Sequence, residues 1–356
     1  MSDNLLDMIS PTIPGQNTIK AHGKGEKRST ILIFDLSQII YNGKANLITF
    51  LEERKRKGPM IPSAYAAKMD KPDDDFFQAT GMFKHFIVNS VMGNCRRFNN
   101  VEKVILAVEG GGSWRKKYLR DLGITKVYKQ NRTLTREADD FDWARFWVQV
   151  DAFYNELAEH FPFYLIRVAG AEGDDVIAEL ARKFSTERPD ADTVILSRDH
   201  DFKQLLSLPH VSMYNFYDKK YVDCPNPEDT LLEQILCGDR GDGVPNVLSD
   251  IDTFVVPGKR QKPLGEKAVW KAISTNTVKT SILVDDRVKE RFEQNRTLVD
   301  LSRTPEEIKK SIRDTYEEQV ALFPSKGPQK LLRHLADNRL NNIIDRISQL
   351  SNLFNK

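Results

Sequence analysis

The sequence predicts an α/β fold: a mostly parallel central sheet flanked by helices, followed by a C-terminal helical region. Three observations carry this. Unbroken apolar runs in "STILIFDLSQI", "EKVILAVEG", "FYLIRVAG" and "DTVILSRD" suit strands buried on both faces, as in parallel sheets. Between them, "DWARFWVQVDAFYNELAEHF" and "DDVIAELARKF" repeat apolar residues at helical spacing, and strands alternating with helices build parallel sheets. From about Gly238 the strand signal fades into turns and helices.

Residues 1–28 mix Ser, Pro, Gly, Asn and Lys without periodicity and read as a flexible tail. Residues 29–237 form the α/β core and 238–356 the helical region, a division that 356 residues readily support. The net charge of +2 hides a segregated pattern, with acids at strand ends and cations in separate stretches. Cys95, Cys224 and Cys237 are scattered, with no CxxC pair, so a reduced cytoplasmic setting without structural zinc is expected. A secretory leader and a membrane-spanning run are both missing from the pattern.

Ligands of open parallel sheets sit beyond the carboxyl ends of the strands. All four runs deliver acids there: Asp35; Glu109; Glu172, Asp174 and Asp175; Asp199 and Asp201. Helix capping accounts for Asp174 and Asp175 taken alone, and an N-cap at Asp201 with a turn residue at Asp199 accounts for the second pair. It does not account for Asp35, which ends a strand, or Glu109, which precedes "GGG". "LCGDRGDGVPNV" adds Asp239 and Asp242, which tight turns alone could explain. Taken together, an all-oxygen set suits a hard cation, magnesium with manganese able to substitute. The acids outnumber the needs of one ion. Two would share the cluster, activating water and stabilising the leaving oxygen of an in-line phosphodiester displacement. His200, between two of these aspartates, reads as an exposed residue.

With these residues in view, the chain resembles the flap endonuclease and 5′-3′ exonuclease family, and within it the branch of phage ribonucleases H. "IFDLSQ", "VILAVEGGGSWRKKY", "VYKQNR", "AEGDDVIAELA", "ILSRDHDFKQLL" and "GDRGDGVPNV" occur in family order over roughly residues 30–275. The resemblance implies a PIN-like 5′ nuclease core and two metals. Asp35, Glu172, Asp174 and Asp199 would hold the first, with Asp175 nearby. Asp201, Asp239 and Asp242 would serve the second. Glu109 stands where the family usually has Asp, and Gly243 where it usually has Asn.

"SWRKKYLRDLGITKVYKQNR" interleaves cations with aromatics. Beside an acidic site, cations neutralise phosphates and aromatics stack unpaired bases. Trp114, Arg115, Lys116, Tyr118 and Tyr128 are therefore candidate nucleic-acid contacts, against the plainer reading of a solvated helix face. The resemblance implies an arch over 113–140 through which a single strand passes, with Gly110–Gly112 as a flexible lead. It also implies that Lys129 and Arg132 grip phosphates near the scissile bond. From Gly238 to about Ile273 it implies a helix-turn-helix variant that holds duplex DNA; Lys259, Arg260, Lys262 and Lys267 are candidate phosphate contacts there, against the plainer reading of a soluble loop. Residues 44–80 form an insertion to which the sequence assigns no role; its cations at 54–57 read as surface solubility, with DNA contact as the alternative.

The C-terminal "RLNNIIDRISQLSNLFNK" reads as an amphipathic helix packing on the core, or as a docking tail for a sliding clamp or single-strand-binding protein. "NLLDMI" near the N-terminus could dock likewise. The expected activity is metal-dependent hydrolysis near the 5′ ends of RNA or DNA strands on duplexes, including primer RNA and flaps, by a monomer. Two alternatives stand beside it. A haloacid-dehalogenase-like phosphatase would use Asp199 as nucleophile and leave Glu172, Asp174, Asp239 and Asp242 without a role. A non-catalytic branched-DNA-binding accessory would tolerate chelator, yet its acids would repel phosphate.

Overall fold

The structure is a computed structural model that describes residues 28–57, 75–125, 128–130, 141–338, 340–344 and 347–354. Residues 1–27 of the expected N-terminal tail, with its "NLLDMI" stretch, lie outside these residues, as do 126–127 and 131–140 of the expected arch and the middle of the 44–80 insertion.

Strand β1 (Ser29–Asp35) leads directly into α1 (Leu36–Lys57), and α2 (Asp75–Cys95) precedes β2 (Val101–Glu109). Next come α3 (Trp114–Asp121), α4 (Trp143–His160), β3 (Tyr164–Val168), α5 (Gly173–Glu187) and β4 (Ala191–Leu196). A 3₁₀ helix (His200–Ser207) leads to β5 (Val211–Asn215) and β6 (Lys220–Tyr221). The remaining helices are α6 (Pro227–Cys237), α7 (Glu266–Ser274), α8 (Val278–Ser281), α9 (Asp286–Val299) and α10 (Glu306–Leu322). Last come α11 (Pro328–Asp337), α12 (Asn341–Ile344) and α13 (Ile347–Phe354).

The sheet order is β3-β2-β1-β4-β5-β6, parallel except for β6 against β5. The four expected strands are its first four in that order, from the edge strand β3 to β4. β5 and β6 were not expected: only Met213 and Tyr214 of β5 are buried, so the stretch lacks an unbroken apolar run. β1 alternates between faces, as a strand must. Leu32 and Phe34 join a core with α1, α2 and α4, whereas Ile31 and Ile33 join one with α5 and α10. That two-sided burial is why the run is apolar throughout. Because the chain leaves β1 for β2 and β3 on one side and returns as β4 on the other, the switch point lies between the ends of β1 and β4.

A third core gathers Leu119 and Tyr128 with α6, α7 and α9. The region after Gly238 is therefore divided. Its first part builds this third core, whereas Ile312 and Tyr316 of α10 pack into one sheet face. Leu331, Leu335, Ile343, Leu350 and Leu353 pack into the other. The C-terminal "NLF" is thus seated on the core, and the docking-tail expectation for that segment is corrected: its apolar face already has a partner.

Gly110–Gly112 also departs from expectation. Rather than a flexible lead, these glycines are zipped to the turn after β3: Gly110 N donates to Ala171 O (3.1 Å), Gly170 N to Gly111 O (2.9 Å) and Trp114 N to Gly170 O (2.9 Å). A Cβ on Gly110 would lie 1.7 Å from the Val168 carbonyl oxygen, and Gly111 has φ +81° with open space around it. The close backbone approach, not mobility, demands the first glycine. Gly110→Ala should cost about 3 kcal/mol or more in urea unfolding, since backbone must shift. Gly111→Ala, strained only by its dihedral, should cost about 1 kcal/mol.

Candidate metal centre

β1 ends on Asp35, 8% exposed. Its neighbour β4 ends just before Ser197, which is fully buried and ties two acids together. Ser197 Oγ donates to Asp35 Oδ2 (3.0 Å) and accepts from Asp199 N (3.0 Å). Asp199 in turn caps the 3₁₀ helix through Asp201 N (3.1 Å). Asp201 accepts from the Gln234 side chain of α6, while Gln204 Nε2 holds its carbonyl (2.9 Å). Asp239 Oδ1 closes its turn by accepting from Gly241 N (2.6 Å) and Asp242 N (3.3 Å). Glu109, at the end of β2, is exposed.

Beneath the acids that precede and begin α5 lies a buried cation. Arg115 is completely buried, its guanidinium carbon 4.7 Å from the Trp114 ring centroid. Its Nε donates to Leu298 O (2.9 Å) and its Nη1 to Glu172 Oε2 (2.9 Å), while Nη2 pairs with Asp175 Oδ1 (3.1 Å). Asp175, also fully buried, further accepts from Trp114 Nε1 (3.0 Å), Glu172 N (2.9 Å) and Thr304 Oγ1 (2.7 Å). Those donors occupy its lone pairs, so Asp175 caps the helix and anchors Arg115 rather than facing an ion as expected. Glu172 Oε2 has two more neighbours, Tyr128 Oη (2.9 Å) and Lys129 Nζ (3.0 Å). Both also approach Asp242 Oδ2, at 3.0 Å and 3.5 Å.

The electrostatics separate these carboxylates. Burial, then Asp199, pushes Asp35 up to about 7. Burial, then Asp175 and Glu172 against the pull of Arg115, pushes Asp174 up to about 7. Asp201 is pushed well above the carboxylate range by burial and then by Asp199, Asp239, Asp242 and Asp174. Asp239 rises by burial and Asp242. For Glu172 burial acts upward, but Lys129 and Arg115 prevail and hold it low. Acids from several distant stretches thus share one field, short of positive charge on the side away from Arg115. Such a set of oxygen donors fits hard divalent cations. Asp35, Asp174, Asp199, Asp201, Asp239 and Asp242, with Glu172 at the edge and the exposed Glu109 near enough for its charge to act on Asp35, are the residues available to hold them.

His200 sits closer to this group than its reading as a plain exposed residue implied. Its ring nitrogens lie 3.8 Å from Asp199 Oδ1 and 3.5 Å from Asp201 Oδ1, with the ring itself exposed. Ser197, Gln234 and Thr304 were also not anticipated. Their polar side chains sit in otherwise apolar or turn-forming stretches, and only folding brings them to the acids.

Several expected nucleic-acid contacts are corrected. Trp114, Arg115 and Tyr128 are buried under the acids, so they cannot stack bases or meet phosphates. The cations of that stretch face both ways because α3 is amphipathic: Lys116 is exposed and Arg115 is not. Tyr118 is half-buried against the third core. Lys116 and Arg120 border a concavity of about 250 Å³ whose floor includes Leu119 and Tyr128. Arg132 lies outside the described residues. Lys259 is paired with Asp250 (3.0 Å) and with Asp252, whereas Arg260, Lys262 and Lys267 are exposed.

Comparison with known proteins agrees with this arrangement. The model of the 5′-3′ exonuclease N-terminal resolvase-like domain matches residues 62–232, and that of the T4 RNase H C-terminal domain matches residues 226–350. Ribonuclease H of Enterobacteria phage T4 is 28% identical over 243 residues, covering 66% of this chain and 77% of that protein. DNA polymerase I of Rhizobium leguminosarum is 35% identical over 100 residues, 26% of this chain and 10% of the polymerase. A bacteriophage T5 flap endonuclease solved with DNA and metal ions superposes with a TM-score of 0.53 at 16% identity, covering 82% of this chain and 98% of that one. A T5 5′-exonuclease with bound zinc gives 0.52 at 16% identity, covering 82% and 99%. At that identity the two structures show a shared fold.

Arg115→Met would leave Glu172 and Asp175 buried without their cation, and chemical denaturation should show a loss of about 3–5 kcal/mol. Lys116→Ala, next to it but exposed, should change stability by less than about 0.5 kcal/mol. A pH effect follows from Asp35 and Asp174. Each binds its proton more tightly folded than unfolded, so their contribution is fullest below the ordinary carboxylate value and is lost as pH rises through about 7. In chelator, the melting temperature should therefore fall from about pH 5 to about pH 8, and saturating magnesium should remove most of that fall. A flat profile in chelator would contradict the crowding of charge described above.

Proposed function

The chain belongs to the family of 5′-3′ exonucleases and phage T4 ribonuclease H, and from that premise we propose that it is a magnesium-dependent 5′ nuclease. It hydrolyses phosphodiester bonds near the 5′ ends of RNA or DNA strands on duplexes, flaps included. Removal of RNA primers during replication, in a host cytoplasm if the chain is phage-encoded, is the role this activity suits. Among the described residues no helix is long and apolar enough to cross a membrane. The observation that carries the proposal is the convergence of Asp35, Asp174, Asp199, Asp201, Asp239 and Asp242 on one switch point. Their mutual repulsion favours two bound cations over one.

Bound there, divalent cations would neutralise the acids, activate water and stabilise charge on the reacting phosphate. The chain's own residues do the remainder. Asp35 and Asp199 are kept in register by Ser197, and Asp201 is aimed by Gln234. Lys129, at the rim, is the described cation placed to meet the scissile phosphate, with Arg132 as its expected companion. Arg260, Lys262 and Lys267 flank the start of α7, whose N-cap Gly265 offers no side-chain acceptor and leaves backbone N–H groups for a duplex phosphate. Lys259 would join them only by leaving Asp250 and Asp252. A single-strand-binding protein or clamp is a proposed partner, and the apolar face of the C-terminal helix is packed on the core.

Incubating 5′-labelled RNA–DNA and flap duplexes with the protein should give short 5′ products with magnesium and none in chelator. Asp199→Asn and Asp239→Asn should each lower the rate by at least about a hundredfold while the variants stay folded by circular dichroism. Undiminished magnesium-dependent cleavage by both variants would refute the assignment. Chelator-tolerant duplex binding without turnover would favour a branched-DNA-binding accessory instead.

A further inference from the structure

Among the described residues two side-chain cations, Arg115 and Lys129, touch the acidic site, and the protein holds them in different ways. Arg115 is sealed in, fixed by the Leu298 carbonyl on one side and by Asp175 and Glu172 on the other. Lys129 enters from the rim, its side chain 14% exposed, and places Nζ between Glu172 Oε2 and Asp242 Oδ2. Its backbone has φ +55°, a conformation uncommon for a residue with a Cβ, and its N–H donates to Asp242 O at 2.8 Å. The main chain is thus pinned to the very turn whose carboxylate the ammonium meets.

Glu172 Oε2 already faces Arg115 Nη1, Tyr128 Oη and Lys129 Nζ, all within 3.0 Å. One carboxylate oxygen has no lone pair to spare beyond those donors. For that oxygen to join a divalent cation, a donor must withdraw. Arg115 cannot, being completely enclosed, and Tyr128 is 4% exposed. Lys129 can: its ammonium sits on a flexible four-carbon stem near the surface. The hydroxyl of Tyr128 carries one proton for two carboxylates, so without a cation between them Glu172 and Asp242 would repel across it.

We propose that Lys129 is a resident counter-cation which holds Glu172 and Asp242 together in the metal-free protein and gives up that place when divalent cations load. This rests on the assignment of Glu172 and Asp242 to the metal centre made above. After the exchange the backbone tether to Asp242 keeps the released ammonium at the rim, where a substrate phosphate would lie. Loading therefore converts an internal ion pair into a phosphate-binding group, and the cation becomes available only once the site can act.

Two measurements on the full chain, neither using substrate, test this. Reductive methylation followed by peptide mass spectrometry reads access to each lysine amine. Lys129 should label several-fold faster in saturating magnesium than in chelator, while exposed Lys262 labels equally in both. Manganese binding followed by electron paramagnetic resonance should be about tenfold or more tighter in Lys129→Met, because a unit positive charge has left the site. Magnesium-independent labelling of Lys129, or unchanged or weaker manganese affinity in Lys129→Met, would overturn the exchange while leaving the metal centre intact. Failure of the wild-type protein to bind manganese at all would overturn both the exchange and the metal centre.

Discussion

The constraint on which the structure turns is the buried guanidinium of Arg115. A cluster of carboxylates at the end of a sheet repels itself, and folding must supply positive charge where water cannot. Arg115 does so from below, contacting the acidic N-terminus of α5, the end of α9 and, through Asp175, the Thr304 hydroxyl. One side chain therefore joins α3, α5, α9 and the chain just before α10. The helices after Gly238 are bound into the site's foundation by that link, as well as by the apolar cores they share with the sheet.

A division of labour among similar residues follows. Asp174 and Asp175 are adjacent, yet one points toward the shared acidic field with its proton held up to about 7 and the other is saturated with donors. Helix geometry separates neighbours by roughly 100°, which is enough to send two chemically identical groups into opposite surroundings. Arg115 and Lys116 differ in the same way, one an internal counter-charge and the other a surface cation. Lys129 is intermediate. It completes the charge balance around Glu172, but from a position that leaves it able to move.

Support for the acids is as important as the acids themselves. Ser197, buried at the end of β4, sets the spacing of Asp35 and Asp199, and Gln234 reaches from α6 to Asp201. Groups that hold ligands in a fixed orientation tune affinity nearly as strongly as the ligands do. The rigid zipper between Gly110–Gly112 and the turn after β3 plays a similar part at the level of backbone, fixing where α3 begins and hence where Trp114 and Arg115 point.

Much of this was legible from the residues in order. Apolar runs that would be buried on both faces disclosed strands β1 to β4, and the acids at their ends disclosed the switch point, because strand direction alone puts those ends on one side. Helix spacing disclosed α4 and α5. What only the tertiary structure decided is which of several like residues faces the site. That Asp175 serves Arg115, that Trp114 and Tyr128 are sealed under the acids, that Gln234 finds Asp201, and that Lys129 spans Glu172 and Asp242 all depend on contacts between segments far apart in the chain. Local pattern reports how a segment can bury its own apolar face. It carries no information about which distant donor will arrive at a given carboxylate, and that arrival sets each group's charge, exposure and role.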